Sequence, residues 1–158
     1  LLELMDATSG DAALGRLPDL RLARFRPFTL VAVAPRGPAL LASWDGRACA
    51  VERGVAPPLT SSSFDTRRVI ASRVSYFGRL AAASGGPDPR LLKTFHASHF
   101  PAAGAYSTCL HRADARTVSF SHITVAAEEV KFSYHPDAPC AAASRLPGEL
   151  HSIVLSRP

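Results

Sequence analysis

Apolar residues in short runs, separated by turn sequences, predict strands in the first third of the chain. The run from Phe28 to Ala34 is closed by Pro35-Arg36-Gly37-Pro38, and a second run covers Ala39 to Trp44. Asp45-Gly46 predicts a tight type I′ turn into a third run, Cys49 to Arg53. These three runs predict an antiparallel meander.

A second group of apolar runs lies between residues 106 and 134. The runs are Tyr106 to His111, Thr117 to Val125 and Val130 to Tyr134. Val118 and Phe120 share one face of the middle run, as expected for side chains that alternate along a strand. These runs predict a second antiparallel meander.

Apolar residues at helical spacing precede and separate the two groups of strands. Residues 1–25 carry an apolar stripe that is interrupted by Pro18. A longer helix is predicted after Asp65 or Thr66, because either residue can act as its N-cap. The apolar face of this helix consists of Ile70, Val74, Phe77 and Ala81. A shorter helix is predicted from Asp88 to Phe95.

The order of the elements predicts an α+β fold with antiparallel sheets and flanking helices. Strands occur in groups and do not alternate one by one with helices, as they would in a parallel sheet. A length of 158 residues suits a single domain over residues 1–158. Beyond Pro136 the chain is rich in Ala and Pro, so we expect an extended tail over 137–158. One short strand, Ser152 to Leu155, is expected within it.

Charge and composition narrow the classes of function. The net charge is +5, and all of the 18 basic residues except Lys93 and Lys131 are arginines. They are scattered along the chain, which argues against a nucleic-acid surface, and the arginine bias is typical of a GC-rich bacterial genome. No apolar run reaches the roughly 20 residues of a membrane span. Three widely spaced cysteines argue against a disulfide framework and favour a reducing, cytoplasmic compartment.

Histidines and cysteines that are close together in sequence form the first candidate site. His96 and His99 are three positions apart, which on a helix places both imidazoles on one face. Cys109 and His111 share one face of a predicted strand, so a four-ligand metal site is compatible with the pattern. Helix-capping and loop histidines explain the pattern without a metal. We therefore expect no bound metal and interpret Cys109 as a buried structural thiol.

The segment Thr60-Ser61-Ser62-Ser63 is the second candidate site. Hydroxyls in a loop before a helix can line a site for an anion or a carbonyl, with the helix N-terminus behind them. Ordinary loop and N-cap hydrogen bonding is the favoured alternative for these four residues.

Six segments in order along the chain carry a resemblance to a known family. They are Phe28–Ala34, Leu40–Gly46, Pro58–Asp65, Phe95–His99, Gly104–Arg112 and Arg116–Phe120. Their order and spacing resemble the later part of NRDE proteins, also called the transport and Golgi organization family. The resemblance implies an αββα architecture like that of N-terminal-nucleophile hydrolases, with two antiparallel sheets between helical layers. The family's Asn-Arg-Asp-Glu motif does not occur here and the chain begins with Leu1, so we expect an N-terminally truncated domain that lacks its first strands.

The same resemblance implies how catalysis would work and where this chain departs from it. In such hydrolases the first residue is the nucleophile and its own amine takes the proton, whereas the side chain of Leu1 has no nucleophilic atom. The loop Leu59 to Asp65 is similar to a Leu-Thr-Asn-x-Pro-x-Phe loop that helps to hold the oxyanion. Serines stand here in place of the amide, which weakens oxyanion stabilisation. We therefore expect no catalytic residue in this chain.

The function expected from the sequence is non-catalytic binding of a small apolar or acyl ligand, without a cofactor. Its expected ligand-binding residues are Thr60, Ser61, Ser62, His96, His99 and Tyr106. The alternative is an amide hydrolase or acyl transferase whose nucleophile lies on a preceding segment, and a third possibility is a structural or interaction module. An unpaired sheet edge, left by missing strands, would be covered in a homodimer.

Overall fold

A computed structural model describes Leu4, residues 6–142 and residues 151–156, and in it the predicted α+β class is confirmed. The chain divides into two compact units. The first comprises residues 1–56, 125–130 and 155–158, and the second comprises residues 57–124 and 131–154. None of the described helices is both long enough and apolar enough to cross a membrane.

The first meander forms as predicted. Strands β1 (Phe28–Ala32), β2 (Leu40–Trp44) and β3 (Cys49–Arg53) form an antiparallel sheet in the order β1-β2-β3. The prediction of a type I′ turn after β2 is wrong, because that turn needs two residues with positive φ and only Gly46 has one here. The Asp45 carboxylate instead accepts hydrogen bonds from the backbone N–H groups of Arg47 and Ala48, both at 2.7 Å.

Among the described residues before the first sheet, helical structure is shorter than the apolar stripe predicts. Helix α1 covers only Gly10–Gly15, and Ser9 caps it by accepting a hydrogen bond from the backbone N–H of Ala12 at 3.1 Å. Two single 3-10 turns follow, Leu17–Asp19 and Leu22–Arg24, and Pro18 stands at the start of the first. The core against the sheet consists of Leu4, Leu14, Leu17, Leu40 and Ala42.

Two helices organise the core of the second unit. Helix α2 (Thr66–Ser84) ends at Gly85 in the left-handed conformation, and α3 (Pro89–Ala97) is capped by the side chain of Asp88. Phe77 of α2 packs edge-on against Phe95 of α3, with ring centroids 5.1 Å apart. The predicted apolar face of α2 is wrong in its first half: Val69 is fully buried, whereas Val74 is 45% exposed.

The second sheet contains strands β4 (Phe120–Val125), β5 (Glu129–His135) and β6 (His151–Ser156), in the order β4-β5-β6. The third strand of this sheet is therefore β6 and not Tyr106 to His111, as the sequence pattern predicts. The region expected to be an extended tail contains β6 and a four-residue helix, α4 (Pro139–Ala142). Residues 143–150 of that region lie outside the described part of the chain.

The segment 105–111 forms turns and one isolated bridge because its backbone groups have partners outside a sheet. The carbonyl oxygens of Ala105, Tyr106 and Ser107 accept hydrogen bonds from the guanidinium of Arg73. The N–H of Cys109 donates to the carbonyl oxygen of Ser98 at 3.0 Å. Backbone groups that are paired in this way are not free to form a strand ladder.

Candidate metal centre

Four side chains with metal-ligating atoms converge in the second unit. They are His99, Cys109, His111 and Cys140, here called the Cys/His cluster, and their ligand atoms all lie within 4.8 Å of one another. Each part of the set comes from a different local structure. His99 follows the C-cap of α3, Cys109 and His111 flank one residue of the turn segment, and Cys140 belongs to α4.

The distances within the cluster are close to those of a coordination sphere. His111 Nε2 lies 3.5 Å from Cys109 Sγ and 3.4 Å from Cys140 Sγ. In a tetrahedral zinc site, bond lengths of about 2.0 Å to nitrogen and 2.3 Å to sulfur place neighbouring ligand atoms about 3.3–3.8 Å apart. The rings of His99 and His111 meet edge-on with centroids 4.9 Å apart. The cluster therefore needs only small adjustments to surround one ion.

A short hydrogen-bonded hairpin holds His111 in place. The backbone N–H of Leu110 donates to Thr117 Oγ1 at 2.9 Å, and the N–H of Thr117 donates back to the carbonyl oxygen of Leu110 at 2.9 Å. An isolated antiparallel bridge joins His111 to Arg116, beside the turn that closes the hairpin. The backbone on either side of His111 is therefore fixed by local pairing.

Cys109 is anchored through its own main chain. Its N–H is bound to Ser98, next to His99, so the end of α3 and the cysteine are tied together. On the other side, Ser107 is fully buried and its Oγ lies 2.6 Å from the carbonyl oxygen of Cys109, to which the hydroxyl donates. Both main-chain polar groups of Cys109 thus have partners, and the direction of its side chain is constrained.

Arg73 of α2 orders the segment that leads into Cys109. Its guanidinium donates hydrogen bonds of 2.8–3.3 Å to five acceptors. These acceptors are Thr60 Oγ1 and the carbonyl oxygens of Ser61, Ala105, Tyr106 and Ser107. We call this arrangement the Arg73 cage. A planar guanidinium with five N–H donors suits such a set of fixed acceptors, and partial burial lowers the pKa of Arg73.

Burial controls the electrostatics of the thiol pair. Cys109 is fully buried, as the sequence predicts, and this burial raises the pKa of its thiol to about 11. Cys140 is half-buried, and both histidines are exposed. A metal cation would compensate the charge of two thiolates, which burial otherwise disfavours, and would bind with release of their protons.

The loop hydroxyls proposed as ligand-binding groups have hydrogen-bond partners within the protein. Thr60 and Ser61 belong to the Arg73 cage through a hydroxyl and a carbonyl oxygen, respectively. Ser62 Oγ donates to the carbonyl oxygen of Phe64 at 2.7 Å and accepts from its N–H at 3.1 Å. The Tyr106 hydroxyl donates to Asp65 Oδ2 at 2.9 Å, and this hydrogen bond raises the pKa of Tyr106. Loop hydrogen bonding accounts for these contacts, whereas the expected N-cap hydrogen bond is not formed, because the Asp65 side chain caps no N–H group of α2.

The two histidines that the sequence pairs on one helix face have different surroundings. His96 remains in α3 and packs against Phe95 and Phe120, with centroid distances of 5.6 and 5.3 Å. Burial, and next the charge of His122, lower the pKa of His96. His99 lies beyond the end of the helix and joins the Cys/His cluster. Of the two histidines that the i, i+3 spacing pairs, His99 therefore belongs to the Cys/His cluster and His96 does not.

Cys140 is the member that the sequence reasoning missed. It follows the predicted end of the second meander, in a stretch whose composition predicts an extended tail. The signal available in the sequence was a further cysteine directly after Pro139, which could complete a ligand set with Cys109 and His111. Its distance along the chain from His111 is longer than the ligand spacing typical of compact zinc motifs.

Comparisons with protein-family models, curated proteins and solved structures each find no match to this chain.

Proposed function

We propose that this chain binds one zinc ion through His99, Cys109, His111 and Cys140, and that the ion has a structural role. The observation that carries the proposal is the convergence of four ligand atoms within 4.8 Å. The distances from one imidazole nitrogen to both sulfurs already agree with those of a tetrahedral site.

The composition of the cluster favours zinc over harder divalent cations. It consists of two thiols and two imidazoles. Calcium and magnesium prefer carboxylate, carbonyl and water oxygens, whereas thiolates select softer ions such as zinc. Two thiolates also neutralise the charge of a divalent ion, so the loaded site carries no net charge to be stabilised by other groups.

The number of ligands favours a structural role over catalysis. Four protein ligands complete the tetrahedron of zinc, whereas catalytic zinc keeps one position for water or substrate. The ligands come from the end of α3, the hairpin around His111 and α4, which are separate segments of the second unit. An ion at this point would cross-link these three segments. Its binding energy would thereby stabilise the fold.

The competing explanation is a metal-free hydrogen-bonded cluster, in which the thiols contact the His111 ring as weak donors. Metal content distinguishes the two. The chain is purified without added metal, and its intact mass under native conditions is compared with its mass after denaturation. We expect one zinc ion per chain and, after exchange for Co²⁺, the visible absorption of a tetrahedral site with thiolate ligands.

Two cysteine variants make this test specific. Cys140→Ser should lose zinc because it removes a half-buried ligand, whereas Cys49→Ser should retain one zinc because Cys49 is exposed on β3 and outside the cluster. The proposal is wrong if the folded parent chain contains no zinc and takes up none from micromolar solution. Retention of tightly bound zinc by Cys140→Ser would also contradict the assigned ligand set.

The resemblance to NRDE proteins supports a second proposal, binding of a small apolar or acyl ligand without catalysis. Its support is the shared class of antiparallel sheets with helices, and the finer αββα arrangement remains part of this proposal. The same native mass spectra test it, because a co-purified ligand adds mass beyond zinc. They also report whether the chain forms the predicted homodimer. A spectrum with zinc as the only addition would count against the ligand.

A further inference from the structure

We propose that the Cys/His cluster is a redox-controlled zinc site, in which a peroxide oxidises Cys109 and Cys140 to a disulfide and zinc is released. This inference rests on the proposed zinc binding and adds a mode of regulation to it. It depends on the geometry of the two sulfurs and on their unequal exposure.

The two sulfurs lie close enough to join after a modest movement. Both are within 3.5 Å of the same nitrogen, His111 Nε2, and they are at most 4.8 Å from each other. A disulfide requires a sulfur–sulfur distance of about 2.05 Å. One sulfur belongs to Cys140 in α4, a helix of only four residues, so a small shift of a short element brings the pair together.

The unequal exposure of the cysteines gives the reaction an order. Cys140 is half-buried, whereas Cys109 is fully buried. A small oxidant therefore reaches Cys140 first. Cys109 lies beside it as the second thiol, which is the arrangement in which a sulfenic acid is converted to a disulfide instead of being oxidised further.

The reaction balances with a peroxide as the two-electron oxidant. The Cys140 thiolate attacks one peroxide oxygen, the O–O bond breaks, and hydroxide leaves with formation of a sulfenic acid. The Cys109 thiolate then attacks Sγ of Cys140, the S–O bond breaks, and a second hydroxide leaves as the disulfide forms. Two thiolates lose two electrons in total, and the peroxide is reduced.

The metal is released because its ligand set is halved. Thiolates, and not disulfide sulfurs, are the ligands that hold zinc. After oxidation only His99 and His111 remain, and both are exposed to water. A thiol reductant reverses the reaction by thiol–disulfide exchange and restores the four ligands when zinc is present.

The test begins with zinc-loaded protein, treated with stoichiometric hydrogen peroxide in the presence of a chromogenic zinc chelator. We expect one equivalent of zinc to be released per chain. Peptide mapping by mass spectrometry should show a Cys109–Cys140 disulfide appearing at the same rate. Dithiothreitol followed by zinc should restore the original metal content.

Cys49→Ser is the variant for the decisive measurement, because it removes the exposed thiol outside the cluster without changing a ligand. It should release zinc at the rate of the parent chain. Retention of zinc, release without a Cys109–Cys140 disulfide, or a disulfide that involves Cys49 in the parent would each overturn the inference. A chain that contains no zinc before oxidation would instead contradict the proposed function, and this inference would fall with it.

Discussion

The β1–β3 sheet and the segment 98–117 are ordered by different kinds of interaction. In the sheet, three five-residue strands pair along their whole length and cover a cluster of leucines. In the segment 98–117, one isolated bridge is the only strand pairing among the described residues. Its order comes from the Arg73 cage, from Ser107 and from the Cys/His cluster.

The difference has an energetic consequence. Burial of a leucine side chain contributes about 1.5–3 kcal/mol, and several leucines pack together under the first sheet. A typical hydrogen bond contributes only about 0.5–1.5 kcal/mol net. The segment 98–117 has much hydrogen bonding and little apolar burial, apart from the fully buried Cys109. A bound metal would supply stabilisation that the segment 98–117 does not obtain from apolar burial.

Removal of the metal tests this contrast directly. Dialysis against a strong chelator should accelerate hydrogen exchange of the amides of Cys109, Leu110 and Thr117, all of which donate hydrogen bonds near the cluster. We expect at least about a tenfold loss of protection there, equivalent to about 1.4 kcal/mol of local opening free energy. Amides of β2 should be unchanged. Equal acceleration of hydrogen exchange in β2 and in the segment 98–117 would show that the two regions do not differ in how they are ordered.

The reverse experiment targets the apolar core of the first unit. Leu17 is 1% exposed, so Leu17→Ala should lower the free energy of unfolding by about 2–5 kcal/mol. The control Leu155→Ala removes a side chain that is 59% exposed in the same unit, and it should change stability by less than about 0.5 kcal/mol. Denaturant unfolding gives both values. Zinc content should stay at one per chain, and its loss in Leu17→Ala would contradict independent ordering of the cluster.

The same contrast explains which parts of the fold could be predicted from sequence. Strands β1 to β3 are adjacent in sequence and joined by short turns, so their pairing follows from local patterns of residues. The position of the Asp45-Gly46 turn is predicted correctly, although the predicted turn type is wrong. Helix α3 was also predictable because Asp88 and Pro89 mark its start.

The segment around the candidate site could not be predicted in this way. Tyr106 to His111 has the composition of a strand, yet its carbonyl groups are bound by Arg73, more than 30 positions earlier in the chain. A pattern of neighbouring residues has no information about such a partner. Cys140 joins the cluster for the same reason, through the position of α4 and not through spacing. His99, Cys109 and His111 can be grouped from the sequence because they are close together in it.

The variant Arg73→Lys keeps the positive charge of the Arg73 cage and removes its planar fork. A lysine ammonium has three donors on a flexible chain and cannot reach all five acceptors, so carbonyl groups of the 105–107 segment lose their partners. We expect a loss of about 1–3 kcal/mol in the free energy of unfolding. Because the cage orders the backbone that leads into Cys109, zinc should also bind more weakly, as measured by competition with a chromogenic chelator.

Arg67→Lys is the matched control for this change. It makes the same substitution six positions earlier in α2, where the side chain is exposed. Both its stability and its zinc affinity should equal those of the parent chain. If Arg73→Lys lowers stability while zinc affinity is unchanged, the cage supports the loop without positioning the metal ligand. If the two properties fall together, the cage and the Cys/His cluster form one cooperative element of the second unit, held by polar contacts in the way that the leucine core holds the first.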